Sequence, residues 1–306
     1  MDIIQRRYDF ESSLKSWDTE EFIDIHFYRP LGYCWALLFR KLGVTPNTVS
    51  ILSIFIGIAS GLCFYYTDLK INIIGMLLLM WANSYDSADG QLARMTDTKT
   101  RLGRILDGLS SQMWFIVIYM MLCFRMMPEW GWWIWLLAAA AGYSHSRQAA
   151  IADYYRTIHL HFLKGRSGSE LAYSKTLRED YKRLSWKQDG FVKAFEYMYL
   201  GYTKAQEAWT PRFQKLINFL RDKYGKRAPI EFRMDFRMKS LPLMKYANML
   251  SFNTRVIVLF ISLIINKPWI YFVFELTVLN LMLAYMMITH EHFCGVFYKQ
   301  IKLEDE

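Results

Sequence analysis

Between Asp86 and Asp107 the chain reads DSADGQLARMTDTKTRLGRILD, the pattern D-x2-D-G-x2-A-R-x8-G-x3-D. Asp86 and Asp89 are three residues apart, so on a helix they share one face. Asp107 lies just inside the next apolar stretch. A carboxylate inserted into a membrane helix costs about 2.5–3.5 kcal/mol, so three converging from neighbouring helices require a compensating partner. A hard divalent cation with oxygen ligands meets that need, and Mg2+ or Mn2+ suits the donor set best. The plainer reading pairs the acids with Arg94, Arg101 and Arg104 in a solvated loop, and the spacing argues against it. Gly90 and Gly103 flank this loop and, without Cβ atoms, let a phosphate or a nucleobase approach the backbone.

The elements that must position these groups are membrane helices. Of 306 residues, 53% are hydrophobic, 17% aromatic and only 21% charged, which is too apolar for an ordinary soluble domain. A span needs about 20 mainly apolar residues, and the stretches 47–66, 71–89, 104–126, 129–150, 247–266 and 268–290 are expected to cross. The net charge of +9 comes from 37 Lys and Arg against 28 Asp and Glu, clustered between the apolar runs. Positive loops beside spans account for that excess, so no nucleic-acid partner is needed. With cytoplasmic termini the outer loops fall near Asp68, Pro128 and Lys267, and nearly all other cations than Lys70, Arg125 and Lys267 lie inside.

No cleavable signal is expected, because Met1 to Glu21 lacks a central apolar stretch. Phe22 to Leu42 mixes aromatic and aliphatic residues with Arg29, Arg40 and Lys41, as suits a helix in the inner interface; a buried soluble helix is the alternative. Residues 151–246 show helical periodicity over 189–202 and 210–224, as amphipathic helices or a small subdomain at the cytoplasmic mouth. The expected chain is an all-α integral membrane protein with an N-terminal segment (1–46), four helices with the acidic motif (47–150), a helical cytoplasmic insertion (151–246) and two further helices with a tail (247–306). Cys34, Cys63, Cys123 and Cys294 lie far apart and read as reduced, unpaired thiols with no zinc site.

The acidic pattern resembles the signature of the CDP-alcohol phosphotransferase (CDP-alcohol phosphatidyltransferase) family, whose full form adds a further x3-D. The segment GVTPNTVSILSIF resembles that family's lead-in to the first span. The resemblance implies six helices around a polar cavity, usually in a homodimer, with two metals held by four aspartates. Transferred by position, Asp86, Asp89 and Asp107 would bind metal. Gly90, Ala93, Arg94, Thr100 and Gly103 would frame the cytidine diphosphate, and Asn47, Thr48, Val49 and Ser50 would line its other side. The family's last aspartate, its presumed general base, falls at Ser111, whose hydroxyl cannot take a proton near neutrality as a carboxylate can. Three explanations stand: an engineered inactive form, a natural enzyme whose base lies elsewhere, or a homologue that binds without reacting.

The implied reaction moves a phosphatidyl group from CDP-diacylglycerol to an alcohol at the cytoplasmic face and releases CMP. Arg147 and Arg255 read as cationic clamps, which favours a phosphorylated polyol such as inositol phosphate or glycerol phosphate. Counted from the assumed inner ends of their spans, Arg255 lies about 12 Å deep and Glu275 about 22 Å deep, so direct pairing is not expected. A CDP-choline or CDP-ethanolamine enzyme acting on a lipid alcohol, a non-catalytic binder and a transporter are the alternatives. The THEHF segment around His290 and the tryptophan cluster EWGWWIW read as interfacial anchors, not as a metal site or a stacking platform.

Overall fold

Thr45 and Pro46 open the first long apolar helix: the threonine hydroxyl accepts from Thr48 N at 3.3 Å, and proline occupies a position whose N–H would have no intrahelical partner. The same kind of start recurs at Asp68, which accepts from Lys70 N at 2.7 Å. The computed structural model describes residues 16–98, 101–164, 171–225 and 228–303, with backbone alone for 101–109 and Phe191. A π-helical turn over Asp24–Tyr28 leads into α1 (Arg29–Lys41), followed by α2 (Pro46–Cys63), α3 (Leu69–Met95), α4 (Arg101–Trp130) and α5 (Trp133–Lys164). Then come α6 (Ser174–Arg183), α7 (Trp186–Ala208), α8 (Pro211–Tyr224), α9 (Ile230–Met249), α10 (Phe252–Ile264) and α11 (Trp269–Phe274), and a π-helical stretch over Glu275–Leu279 leads into α12 (Asn280–Leu303). Among the described residues there is no strand.

Among the described residues, four stretches are long and apolar enough to cross a membrane: Pro46–Cys63, Ser110–Trp130, Ile230–Ile264 and Trp269–Leu303. The chain is therefore a multi-pass membrane protein. The sequence expectation was six. The two remaining helices, α3 with 27 residues and α5 with 32, are long enough. Their polar positions lower their mean hydropathy: Asn83, Ser84, Asp86, Ser87, Asp89 and Gln91 in α3, and Ser144, His145, Ser146, Arg147 and Gln148 in α5.

The chain divides into two compact units, Met1–His145 with Asn253–Leu276, and Ser146–Phe252 with Thr277–Glu306. In the first, α2 packs on both α3 and α4. Gly57 and Gly61 make the α2–α4 approach possible, since a Cβ on the first would collide with Trp114 and one on the second would stand 2.9 Å from Val117. At one end of this unit, Arg125 donates to Phe64 O at 3.0 Å, Asn72 Oδ1 at 3.2 Å and Asn266 Oδ1 at 2.7 Å. One guanidinium thus gathers the α2–α3 turn and the α10–α11 turn at the end where α4 finishes. The loop expected near Pro128 centres on Gly131, whose φ of 57° makes the turn, while Pro128 rides in the last turn of α4.

The opposite end carries α1. Its residues Ala36 and Phe39 join Val49, Tyr85, Ala88 and Leu92 in one apolar cluster. Arg29 pairs with Glu20 through two bonds of 2.9 and 3.1 Å and donates to Ser87 Oγ at 3.3 Å, while Gln91 Nε2 donates to Arg29 O at 3.0 Å. Burial pushes the Tyr28 phenol up to about 12, with a hydrogen bond to Asn83 opposing the shift and the Asp24 charge adding to it. The N-terminal helix is thus docked on α3 through defined polar and apolar contacts.

In the second unit, α8 packs on α12. The carboxylate of Glu291 accepts from Arg212 N at 2.6 Å and Phe213 N at 3.3 Å, capping the start of α8 where a negative charge is favoured. His290 is 1% exposed and stacks on Tyr155 at 4.1 Å. The THEHF segment is therefore an internal packing and capping element, which corrects the expectation of interfacial anchoring. Helices α7 and α8 cover the two periodic stretches at 189–202 and 210–224. The limits expected for the insertion, 151 and 246, fall inside α5 and α9.

Candidate functional site

Three helices of the first unit bring hydroxyls to carboxylates. Asp89, 3% exposed on α3, accepts a short hydrogen bond from Ser50 Oγ on α2. Asp86, one helical turn earlier and half-buried, accepts a short hydrogen bond from Ser110 Oγ on α4. Ser50 and Ser110 are themselves buried. A hydroxyl orients the carboxylate that it donates to, so each acid is aimed by a neighbouring helix. Asp107 stands three residues before Ser110 on α4, one helical turn away; its side chain is outside the described residues.

The motif is more helical than its glycines suggest. Asp86, Asp89, Gly90, Ala93 and Arg94 all lie on α3, which ends where Thr96 Oγ1 donates back to Leu92 O at 2.8 Å. Asp97 makes the turn with φ 51°, and α4 begins at Arg101, so Gly90 and Gly103 lie inside helices and do not flank a loop. A Cβ on Gly90 would stand 3.5 Å from Nη1 of Arg94, an ordinary contact. Arg94 lies on the same helix as both described acids.

The remaining predicted donor residues separate into groups. Asn47 and Thr48 are at the open end of α2, with Thr48 Oγ1 2.9 Å from Thr45 Oγ1. Val49 is fully buried in the cluster with Phe39 and Tyr85, so its side chain packs inward. Thr100 lies outside the described residues, and of Gly103 only the helical backbone is described. Ser111 is half-buried on α4, next to Ser110.

The two arginines singled out in sequence fall in different units. Arg255, 1% exposed on α10, forms an ion pair with the fully buried Glu275, and His145 Nδ1 lies 3.4 Å from Glu275 Oε1. This reverses the expectation from depth counting. Reckoned from the shared α10–α11 turn near Asn266, the two residues differ by about two or three positions, some 3–5 Å at 1.5 Å per residue, within the reach of an arginine. Counting from far ends that lie elsewhere accumulated the error. Arg147 lines a cavity of the second unit with Tyr202, Gln206 and Trp209.

Sequence reasoning missed Ser110 and His145. The signal for Ser110 was its place three residues after Asp107, on the face that the acids share; His145 carried no local signal, because its partner is 130 positions away by residue number.

The donor set fits a hard divalent cation: carboxylates and hydroxyls, all oxygen, at one end of α2, α3 and α4. No group of three or more metal-binding side chains occurs among the described residues, of which the Asp107 side chain is not one. A search of curated proteins returned no significant match. Residues 43–164, which hold α2 to α5 with both described acids, match the family model for CDP-alcohol phosphatidyltransferase. That family is typically metal-dependent and transfers from a CDP-alcohol donor to an alcohol acceptor. By this match the segment 43–164 is similar to the CDP-alcohol phosphatidyltransferases, a transferase family.

Proposed function

We propose that the chain transfers a phosphatidyl group from CDP-diacylglycerol to an alcohol, releasing CMP, with Mg2+ or Mn2+ at Asp86, Asp89 and Asp107. The observation that carries this reading is the aiming of Asp86 and Asp89 by hydroxyls from both neighbouring helices, within the family-matched segment. When bound, the cation neutralises the donor's diphosphate. Arg94 orients that diphosphate from the same helix, and Asn47, Thr48 and Ser50 line the cytidine side. The acceptor oxygen forms its bond to the distal phosphorus as the bond to CMP breaks in line. A phosphoryl-type transition state is loose and draws most of its acceleration from positioning and charge stabilisation. Transfer therefore survives the replacement of a carboxylate by Ser111 at a reduced rate.

The acceptor is read here as an alcohol without a required phosphate, because Arg255 is matched by Glu275 and the two-cation argument loses one member. All six long apolar or half-polar helices are read as spans, with the acidic end and both termini on the cytoplasmic side and a homodimer as the assembly. Incubation of the full chain in detergent with labelled CDP-diacylglycerol and a panel of alcohols tests the reading. CMP release that requires a divalent cation supports it, and Ser111→Asp should raise the rate by about tenfold or more. CMP release unchanged by chelation, or release only from CDP-choline, would overturn it.

A further inference from the structure

In the second unit, α7 turns large apolar side chains outward. From Gly190 onward one side carries Glu196, Leu200, Thr203 and Gln206, which are buried, with Gln206 Nε2 donating to Ala150 O at 2.8 Å. The other side, read at helical spacing, runs Gly190, Ala194, Tyr197, Met198, Gly201, Tyr202, Ala205, Ala208 and Trp209, with the exposed Lys204 beside Tyr197 and Ala208. On that side Tyr197 and Met198 are each 63% exposed. Exposed aromatic and apolar side chains with a lysine beside them suit a helix lying in a lipid interface.

A cavity of about 140 Å³ opens beside this arc, between α5 and α7, lined by Ser146, Arg147, Gly201, Tyr202, Gln206 and Trp209 among others. Gly201 weakens the helix interior and serves no close packing, since a Cβ there would meet nothing within 4 Å. A guanidinium, an indole and a phenol in one lining match the boundary between lipid phosphate and acyl chain. Basic residues outnumber acidic ones from residue 171 to 225, which complements an anionic surface.

We propose that α7 lies in the membrane interface through this arc, and that the adjoining cavity takes the phosphate-bearing headgroup of a membrane phospholipid on Arg147. The occupant is a lipid of the bilayer. The inference stands apart from the donor chemistry of the first unit.

The test uses the full chain in nanodiscs of phosphatidylcholine and phosphatidylglycerol. A nitroxide is placed at Met198→Cys in a Cys34→Ser background, with the labelled background alone as blank. Greater spectral broadening by oxygen than by a water-soluble nickel chelate supports lipid contact. The reverse order, or spin–spin broadening that disappears on dilution with unlabelled protein, overturns it in favour of water or a second copy. Native mass spectrometry supplies the second readout. Arg147→Gln should lower the phosphatidylglycerol-bound fraction about fivefold, and Gly201→Trp should remove it by filling the cavity. An unchanged bound fraction in either correctly folded variant overturns the headgroup site, and because the two changes lie on different helices, misfolding of one leaves the other to decide.

Discussion

The first unit buries acids in two places and treats them differently. At one, Glu275 meets the guanidinium of Arg255, with His145 alongside, and the carboxylate charge is matched by a cation supplied from the chain. At the other, Asp86 and Asp89 receive serine hydroxyls from α4 and α2. A guanidinium settles a carboxylate's charge, whereas a hydroxyl only orients it. The first arrangement holds α10 against α11 and its π-helical continuation. The second gathers oxygen donors from three helices. Burial of an acid in a membrane helix is thus no guide to function until the chemistry of its partner is known.

The largest effect expected from breaking this contrast is at Asp89. Asp89→Asn keeps the shape and the hydrogen bond to Ser50 but removes a charge that the bound cation requires, and CMP release should fall by about a thousandfold or more. Near-normal turnover in this variant would place the metal elsewhere.

Next is the ion pair. Glu275→Gln leaves Arg255 buried against a neutral partner and should destabilise the protein by about 3–5 kcal/mol, read as a fall in the thermal midpoint in detergent. The double replacement Arg255→Met with Glu275→Leu should recover most of that loss, because it removes both charges together. If the double variant is as unstable as the single one, the pair does more than compensate charge.

The smallest effect sharpens the other side. Ser110→Ala deletes one orienting bond to Asp86, and a loss of about 1.4 kcal/mol in positioning lowers turnover roughly tenfold. A shift of the apparent metal affinity in the same variant would tie Ser110 to the cation, whereas a pure stability loss would make it a packing residue.

Much of the site was legible from spacing. Asp86 and Asp89 share a face because a helix repeats every 3.6 residues, and the apolar run from 47 marked the first span, so helix type and the position of the acidic motif needed no coordinates. The same periodicity located α7 and α8. Depth was harder to read. The pairing of Arg255 with Glu275 depended on where the α10–α11 turn sits, and hydropathy marks the ends of spans only to within several residues. The role of the THEHF segment was misread for a related reason: Glu291 has a local sequence typical of an anchor, but its partner, the start of α8, is about eighty residues away in the chain.

Local patterning specifies which residues are helical, which face of a helix carries acid, and that the long apolar runs belong in a bilayer, since each of these follows from interactions within a few turns. The choice of partner for each buried polar group was left to packing. Ser50 for Asp89, Ser110 for Asp86, Arg255 for Glu275 and the outward turn of the apolar side of α7 all depend on the rotation and height of one helix against another. Those variables are governed by long-range contacts such as the α4 side chains filling the space over Gly57 and Gly61, and no short window of sequence contains them.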